Sequence, residues 1–346
     1  MIPSFRPLLA ASDFAHVRDI LRTGRVAAGP WSARLEAAVA ASVDKRPGLA
    51  CSSGTAALHI GLVALGVRPG DRVLVPSLTC AAVLHAVRHA GAFPALMDVD
   101  PDTLNPTPDH ARRAAGRRAK AIVLTHCSGH PVSVGAFQSL GLPIIEDCCL
   151  AAGAEIDGSP VGSRGQLAVF SFHATKPACA GAGGLVCASE PRAAARLRDL
   201  ASCDMRDDDA DRYSAPMSDL TAGLALSQWR RLPSFLRRRR ALARRYREAL
   251  GPSARVPVDA SGARPSYHHF LVKVKDAARF IGAARRAGID CDRPVYKPLH
   301  QYLALDRPGA EEAWRRWAVI PLYPALAERD IRTVIRTIGP LLDRSV

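Results

Sequence analysis

The sequence predicts an α/β protein with a mostly parallel central sheet, helices on both faces, and a smaller C-terminal α/β domain. Three observations carry this. Between about residues 50 and 190, short apolar runs alternate with helical patterns, which marks a parallel sheet covered on both sides. A second strand-then-helix pattern begins near residue 268. The chain has 346 residues, 48% of them apolar and 23% charged, enough for a large domain and a smaller one.

The elements follow in order. "RVLVP" (72–76), "FPALMD" (93–98), "KAIVLT" (120–125), "PIIED" (143–147), "LAVFSF" (167–172) and "GLVCA" (184–188) read as buried strands. "TAALHIGLVALG" (55–66) and "CAAVLHAVRHAG" (80–91) read as helices. A long helical stretch begins near 218, with an expected interruption at Pro233. "HHFLVKVK" (268–275) reads as a strand, and "DAARFIGAARRAG" (276–288) as a helix closed by Gly288. Residues 1–225 are expected to form the large domain with its N-terminal segment, and 226–346 the small one. The polar segment 203–219 reads as a long mobile loop. Ligands in such sheets sit beyond the carboxyl ends of the strands, which singles out Pro76, Asp98, His126, Asp147 and the segment around Lys176.

Composition excludes several classes. No apolar run approaches membrane-spanning length, and the N-terminus, which carries Asp13, does not read as a signal peptide. A cytoplasmic protein is expected. The nine cysteines lack any C-x-x-C pairing, so they read as free thiols rather than a zinc site or a disulfide framework, and no metal is expected. The formal net charge of +15 suits phosphorylated small molecules or nucleic acid. Its densest run, "LRRRRALARRYREAL" (236–250), reads as a solvated amphipathic helix with Phe235, Leu242, Tyr246 and Ala249 on its apolar face. With 5% aromatic residues and no nucleic-acid signature, nucleic acid is not an expected partner.

Three segments bear chemistry. "SSGTAA" places Ser53, Gly54 and Thr55 at a helix start, where free amides and the helix dipole suit a phosphate; a plain helix cap is the alternative. "PIIED" ends a buried strand on two carboxylates, which need a partner or a task. One such task for Asp147 is pairing with a cationic ring nitrogen. "SFHATKPACAGAGG" (171–184) sets Lys176 alone among small, uncharged residues, a setting suited to an amine nucleophile. A phosphate site, an aspartate and a Schiff-base lysine in this order fit pyridoxal phosphate.

With these motifs in place, the chain resembles the DegT/StrS-type sugar aminotransferases, a branch of the fold-type-I pyridoxal-phosphate enzymes. The resemblance runs nearly end to end, through "SSGTAALHIGLVALGVRPGDRVLVPSLT", "DVDPDTLNP", "IIEDCCLAAGA", "VGSRGQLAVFSFHATK", "GAGG", "PVYKPLH" and "IPLYPALAERDI". It implies that Lys176 holds the cofactor as a Schiff base and moves protons, and that Asp147 pairs with the pyridinium nitrogen. It implies that Ser171, Gly54 and Thr55 take the phosphate. It further implies a homodimer with shared active sites, a small-molecule amino donor, glutamate or glutamine, and a nucleotide-linked keto-sugar or a keto-cyclitol as acceptor in secondary-metabolite or glycan biosynthesis.

Three positions depart from the family pattern. Cys80 stands where an aromatic residue usually stacks on the cofactor, and Leu150 where a Gln or His usually meets the ring's phenolic oxygen. Ser214 stands where an asparagine reaches the neighbouring subunit's phosphate. Each loss weakens cofactor binding by about 1 kcal/mol. They leave open a divergent enzyme with other chemistry, or a non-catalytic homologue, but retention of Lys176 and Asp147 favours catalysis. Family dehydratases usually carry histidine at the lysine position, so Lys176 argues for transamination. Tyr296, Lys297 and His300 either line the substrate pocket or pack at a domain junction. His173 either contacts substrate or fills space, with contact the preferred reading, and His126 is read as structural.

Overall fold

β-branched and aliphatic runs pack well on a pleated surface, whereas Ala- and Leu-rich runs keep their rotamer freedom in helices, so the chain alternates between the two. The computed structural model describes residues 1–116, 119–204 and 206–343. The large part begins with α1 (Ala11–Thr23), α2 (Pro30–Ala41), β1 (Arg46–Cys51), α3 (Gly54–Ala64), β2 (Arg72–Pro76), α4 (Ala81–His89) and β3 (Phe93–Met97). It continues through α5 (Pro108–Ala115), β4 (Ala119–Thr125), β5 (Ile144–Asp147), β6 (Glu155–Ile156), β7 (Ser159–Pro160), β8 (Leu167–Ser171), β9 (Gly184–Ala188) and α6 (Pro191–Ala201). Then come α7 (Asp219–Leu250), β10 (Ala263–Arg264), β11 (Phe270–Lys273), α8 (Ala277–Arg286), α9 (Leu299–Leu303), α10 (Pro308–Arg316), β12 (Trp317–Ile320) and α11 (Glu328–Asp343).

The central sheet has seven strands in the order β1-β9-β8-β5-β4-β2-β3. The pairs from β8 through β5, β4 and β2 to β3 are parallel; β9 runs antiparallel to both β8 and β1. Helices α3, α4 and α6 bury one face, around Leu58, Ile60, Val87 and Leu197. The other face packs against α2 and the first half of α7 through Leu35, Phe170 and Trp229, and against α5 through Ala111. β1 was not expected, because "RPGLAC" carries a proline and a glycine. It sits on the sheet edge, where proline is tolerated, and a Cβ on Gly48 would run into the Val186 carbonyl.

The small part is a β11–β12 antiparallel pair covered by α8, α11 and the second half of α7. The expected break at Pro233 does not occur: α7 is one helix of 32 residues. Proline removes one backbone hydrogen bond, but both halves of α7 are buried. Ala222, Leu226, Trp229 and Leu232 enter the large core, and Leu242, Tyr246 and Leu250 the small one. Residues 225 and 226, where the sequence reading divides the chain, both lie inside this helix and pack in the large core.

The "RRRR" run also differs from expectation. Arg239 is 1% exposed, and its Nη1 donates to the carbonyls of Tyr267, His268 and Leu322 at 3.0, 3.1 and 2.9 Å. Ala249 is exposed, and Leu250 takes its place on the apolar face. In the 203–219 segment, Met205 lies outside the described residues. The rest has no helix or strand until α7, and Arg212 is tied to Asp199 and Asp208. Among the described residues, no helix is long and apolar enough to cross a membrane.

Candidate active site

The strand ends on one edge of the sheet open into two adjoining cavities, an outer one of about 1020 Å³ and an inner one of about 240 Å³. Cys80, Asp147, Cys149 and Lys176 line both. The inner cavity is closed by the start of α3 and the end of β8. The outer one lies under α8, the 292–297 loop and the N-terminal residues Ser4 and Phe5.

At the inner end, Ser53 caps α3: its Oγ accepts the Ala56 amide at 3.1 Å. The cap by the Ser53 side chain leaves the first amides of the helix, at Gly54 and Thr55, available to an anion, so the two readings are compatible. Ser171 closes the cradle opposite. A Cβ at Gly54 would sit 3.1 Å from the Ser171 Cβ, and one at Gly184 would strike the Ser53 carbonyl. The glycines thus keep a small, amide-lined space open. His173 is exposed beside it, its Nδ1 3.1 Å from Thr175 Oγ1.

The two carboxylates that end β5 divide their tasks by side. Glu146 points into the protein, where its oxygens accept the amides of Gly162, Arg164 and Gly165 at 2.8, 2.7 and 2.6 Å. His126 Nε2 lies 3.4 Å away. Burial would raise this carboxyl, but the hydrogen bond and charge of His126 and the amides of Gly165 and Gly162 hold it below its ordinary range. Replacing Glu146 with glutamine turns two donors toward these amides. We expect a stability loss of about 2 to 4 kcal/mol, read as a lower urea midpoint at unchanged slope. His126, Glu146 and Cys148 bring ligand atoms within 4.8 Å of one another. Those of Glu146 and His126 Nδ1, which takes the Val132 amide, are committed to the protein.

Asp147 faces the cavities instead. It is 8% exposed and accepts the Cys149 amide at 3.1 Å, yet among the described residues no cation forms a salt bridge with it. A buried carboxylate without a cation is costly, so the site is built for a cationic group that the protein does not itself supply. Lys176 is its complement. It is half-buried, and among the described residues its Nζ has no hydrogen-bond or salt-bridge partner. An amide-lined cradle, an unpaired carboxylate and an unpaired amine in joined cavities fit pyridoxal phosphate.

Other expected residues fall at varied distances from this centre. Leu150 lines the outer cavity. Cys80 is exposed at the N-cap of α4, lining both. Tyr296 is 91% exposed at the mouth, and Lys297 lies 4.7 Å over the Tyr302 ring. His300 lines neither cavity. It is 4% exposed, with Nδ1 2.7 Å from Ser77 Oγ and Nε2 3.1 Å from Glu311 Oε2. Its place is a brace under the 77–80 turn. Ser214 is exposed and lines neither cavity. His268 and His269, which also line the outer cavity, went unnoticed in the sequence, where only a doubled histidine before a strand marks them.

Comparison with known proteins gives the family of the chain. The DegT/DnrJ/EryC1/StrS aminotransferase family matches residues 7–339. The chain belongs to this family. It is a pyridoxal-phosphate-dependent aminotransferase. Its fold superposes on the aminotransferase TlmJ from Streptoalloteichus hindustanus at 33% identity and TM-score 0.93, over 99% of both chains. It superposes on the PLP form of the putative sugar aminotransferase Spr1654 from Streptococcus pneumoniae at 25% identity and TM-score 0.92, covering 100% and 99% of the two chains. It also superposes on DesI, solved in the presence of its TDP-sugar product, at 26% identity and TM-score 0.91, covering 99% and 93%.

In the aminotransferase, burial pushes the thiols of Cys127, Cys187 and Cys291 up to about 12, whereas Cys80 and Cys203 are exposed. Iodoacetamide is therefore expected to label Cys80 and Cys203 in cofactor-free protein. Saturating pyridoxal phosphate should protect Cys80 alone, as peptide mass mapping reads directly. Equal labelling of Cys80 with and without cofactor would place the cofactor elsewhere.

Proposed function

We propose that this aminotransferase moves an amino group from glutamate or glutamine to a keto-sugar linked to a nucleotide diphosphate. The observation that supports the reaction is the pairing in one site of an unpartnered Lys176 amine and an Asp147 carboxylate without a cation. Bound pyridoxal phosphate supplies an electron sink conjugated to the donor nitrogen. Lys176 would hold the resting cofactor, and its Nζ would take the proton from the donor's α-carbon and carry it to the next step. Asp147 keeps a proton on the ring nitrogen. The amides that start α3 and the Ser171 hydroxyl bind the phosphate and set the ring's position.

The acceptor class is supported by the outer cavity. At about 1020 Å³ it extends well beyond the cofactor cradle, and Arg293 and Lys297 line it without a carboxylate salt bridge among the described residues. Arg285 is neutralised by Asp290 and Asp292. DesI, which shares the fold, was solved in the presence of its TDP-sugar product. A homodimer belongs to the same proposal, with the exposed Ser214 serving the neighbouring subunit's cofactor.

Mixing the loaded enzyme with single amino donors tests the reaction. Glutamate or glutamine should bleach the visible band and leave pyridoxamine phosphate, and nucleotide-linked keto-sugars should restore it. Restoration by unlinked keto-sugars or keto-cyclitols alone would overturn the acceptor class.

A further inference from the structure

Among the imidazoles of the outer cavity, His268 and His269 both keep a ring nitrogen without a hydrogen-bond partner among the described residues, and His269 is the more exposed of the two. His126 takes the Val132 amide on Nδ1 and is fully buried, with Nε2 turned to Glu146 3.4 Å away. His269 is half-buried, and its exposed part lines the cavity that also holds Lys176, Asp147 and Leu150. Its amide donates to the Ser128 carbonyl at 3.2 Å, and its Nδ1 lies 3.1 Å from Ser128 Oγ. Nε2 has no partner among the described residues.

The ring is backed by buried, hydrogen-bonded residues. Ser128 is fully buried and has φ 53°, a left-handed conformation that residues with a side chain rarely adopt and that persists where surroundings enforce it. Arg239 clamps the Tyr267 and His268 carbonyls immediately before the ring. Ser266 Oγ donates to the Leu150 carbonyl at 2.9 Å, so the histidine segment and Leu150 form one wall. Leu150 contributes only an apolar side chain there; His268 and His269 are the polar part of that wall, and His269 is the more exposed. Burial, with Lys176, Arg239 and His130 nearby, pushes the His269 imidazole down to about 3. The ring is neutral, and a Ser128 hydroxyl donating to Nδ1 leaves the proton on Nε2.

We propose that His269 donates a hydrogen bond from Nε2 to the ring oxygen beside the reacting carbon of pyridoxal phosphate, with Ser128 as its positioning residue. This rests on the assignment of Lys176 and Asp147 above. A donor on that oxygen weakens its hold on the neighbouring imine proton. Removing the donor strengthens that hold and shifts the pH at which the visible band changes.

The experiment titrates the absorption of the pyridoxal-phosphate-loaded full chain and measures cofactor affinity, for the native protein, His269→Leu, His269→Gln and Ser128→Ala. His269→Leu should raise the pH midpoint by about one unit and weaken cofactor binding about tenfold. His269→Gln should recover most of both, and Ser128→Ala should fall between. Native midpoint and affinity in His269→Leu, with only the KM for the acceptor raised, would make the ring a substrate contact and overturn the proposal. If His269→Leu does not fold, a native midpoint in Ser128→Ala overturns it equally. A native protein without a band, or a band that survives Lys176→Ala, would instead overturn the assignment on which it rests.

Discussion

Replacing Lys176 with alanine is expected to abolish the visible band of the bound cofactor and to lower transamination at least about 10³-fold. The amine lines both cavities, and no other lysine lines the inner one. No other lysine is therefore placed to take over its proposed roles of covalent anchor and proton carrier. Because Nζ makes no hydrogen bond or salt bridge among the described residues, the substitution removes chemistry without removing a structural contact. The thermal midpoint of the cofactor-free protein should stay within about a degree or two of native, matching the small effect of a change away from packed or paired groups. Small added amines should recover part of the proton transfer, which separates a missing base from a collapsed site.

Asp147→Asn is the second large effect. Asparagine keeps the shape and can still accept the Cys149 amide, now 3.1 Å from the carboxylate, but it no longer holds a proton on the ring nitrogen. The donor half-reaction should slow by roughly 10²- to 10³-fold, the usual cost of one lost electrostatic contact to the developing charge. Stability should move the other way. A carboxylate that is 8% exposed and lacks a cation costs free energy to bury, so the cofactor-free variant should melt higher than native. Glu146→Gln, one residue earlier on the same strand, should melt lower. Opposite signs at adjacent positions follow from which side of β5 each carboxylate faces, and calorimetry of both cofactor-free variants measures them.

Much of this site was legible in order along the chain, because its parts are local. A glycine at a helix start, a carboxylate at a strand end and a lysine between small residues each carry their meaning within a few neighbours. The sheet was legible for the same reason, since buried parallel strands are short apolar runs between helices. What escaped depends on distant contacts. β1 is a strand because β9 pairs with its edge, despite Pro47 and Gly48. Arg239 is buried because three carbonyls from 267, 268 and 322 converge on it, and nothing in "RRRR" distinguishes it from its neighbours. α7 passes Pro233 because two cores hold its halves. For His300 the sequence left pocket lining and packing open; Ser77 and Glu311, which occupy both of its ring nitrogens, favour packing.

Borohydride reduction of the loaded enzyme followed by peptide mass mapping tests the central claim most directly. Reduction fixes the pyridoxyl group to whichever lysine holds it. A single modified peptide carrying the group on Lys176 is the expected result. Modification spread over surface lysines, or placed on Lys297 with Lys176 untouched, would contradict the account.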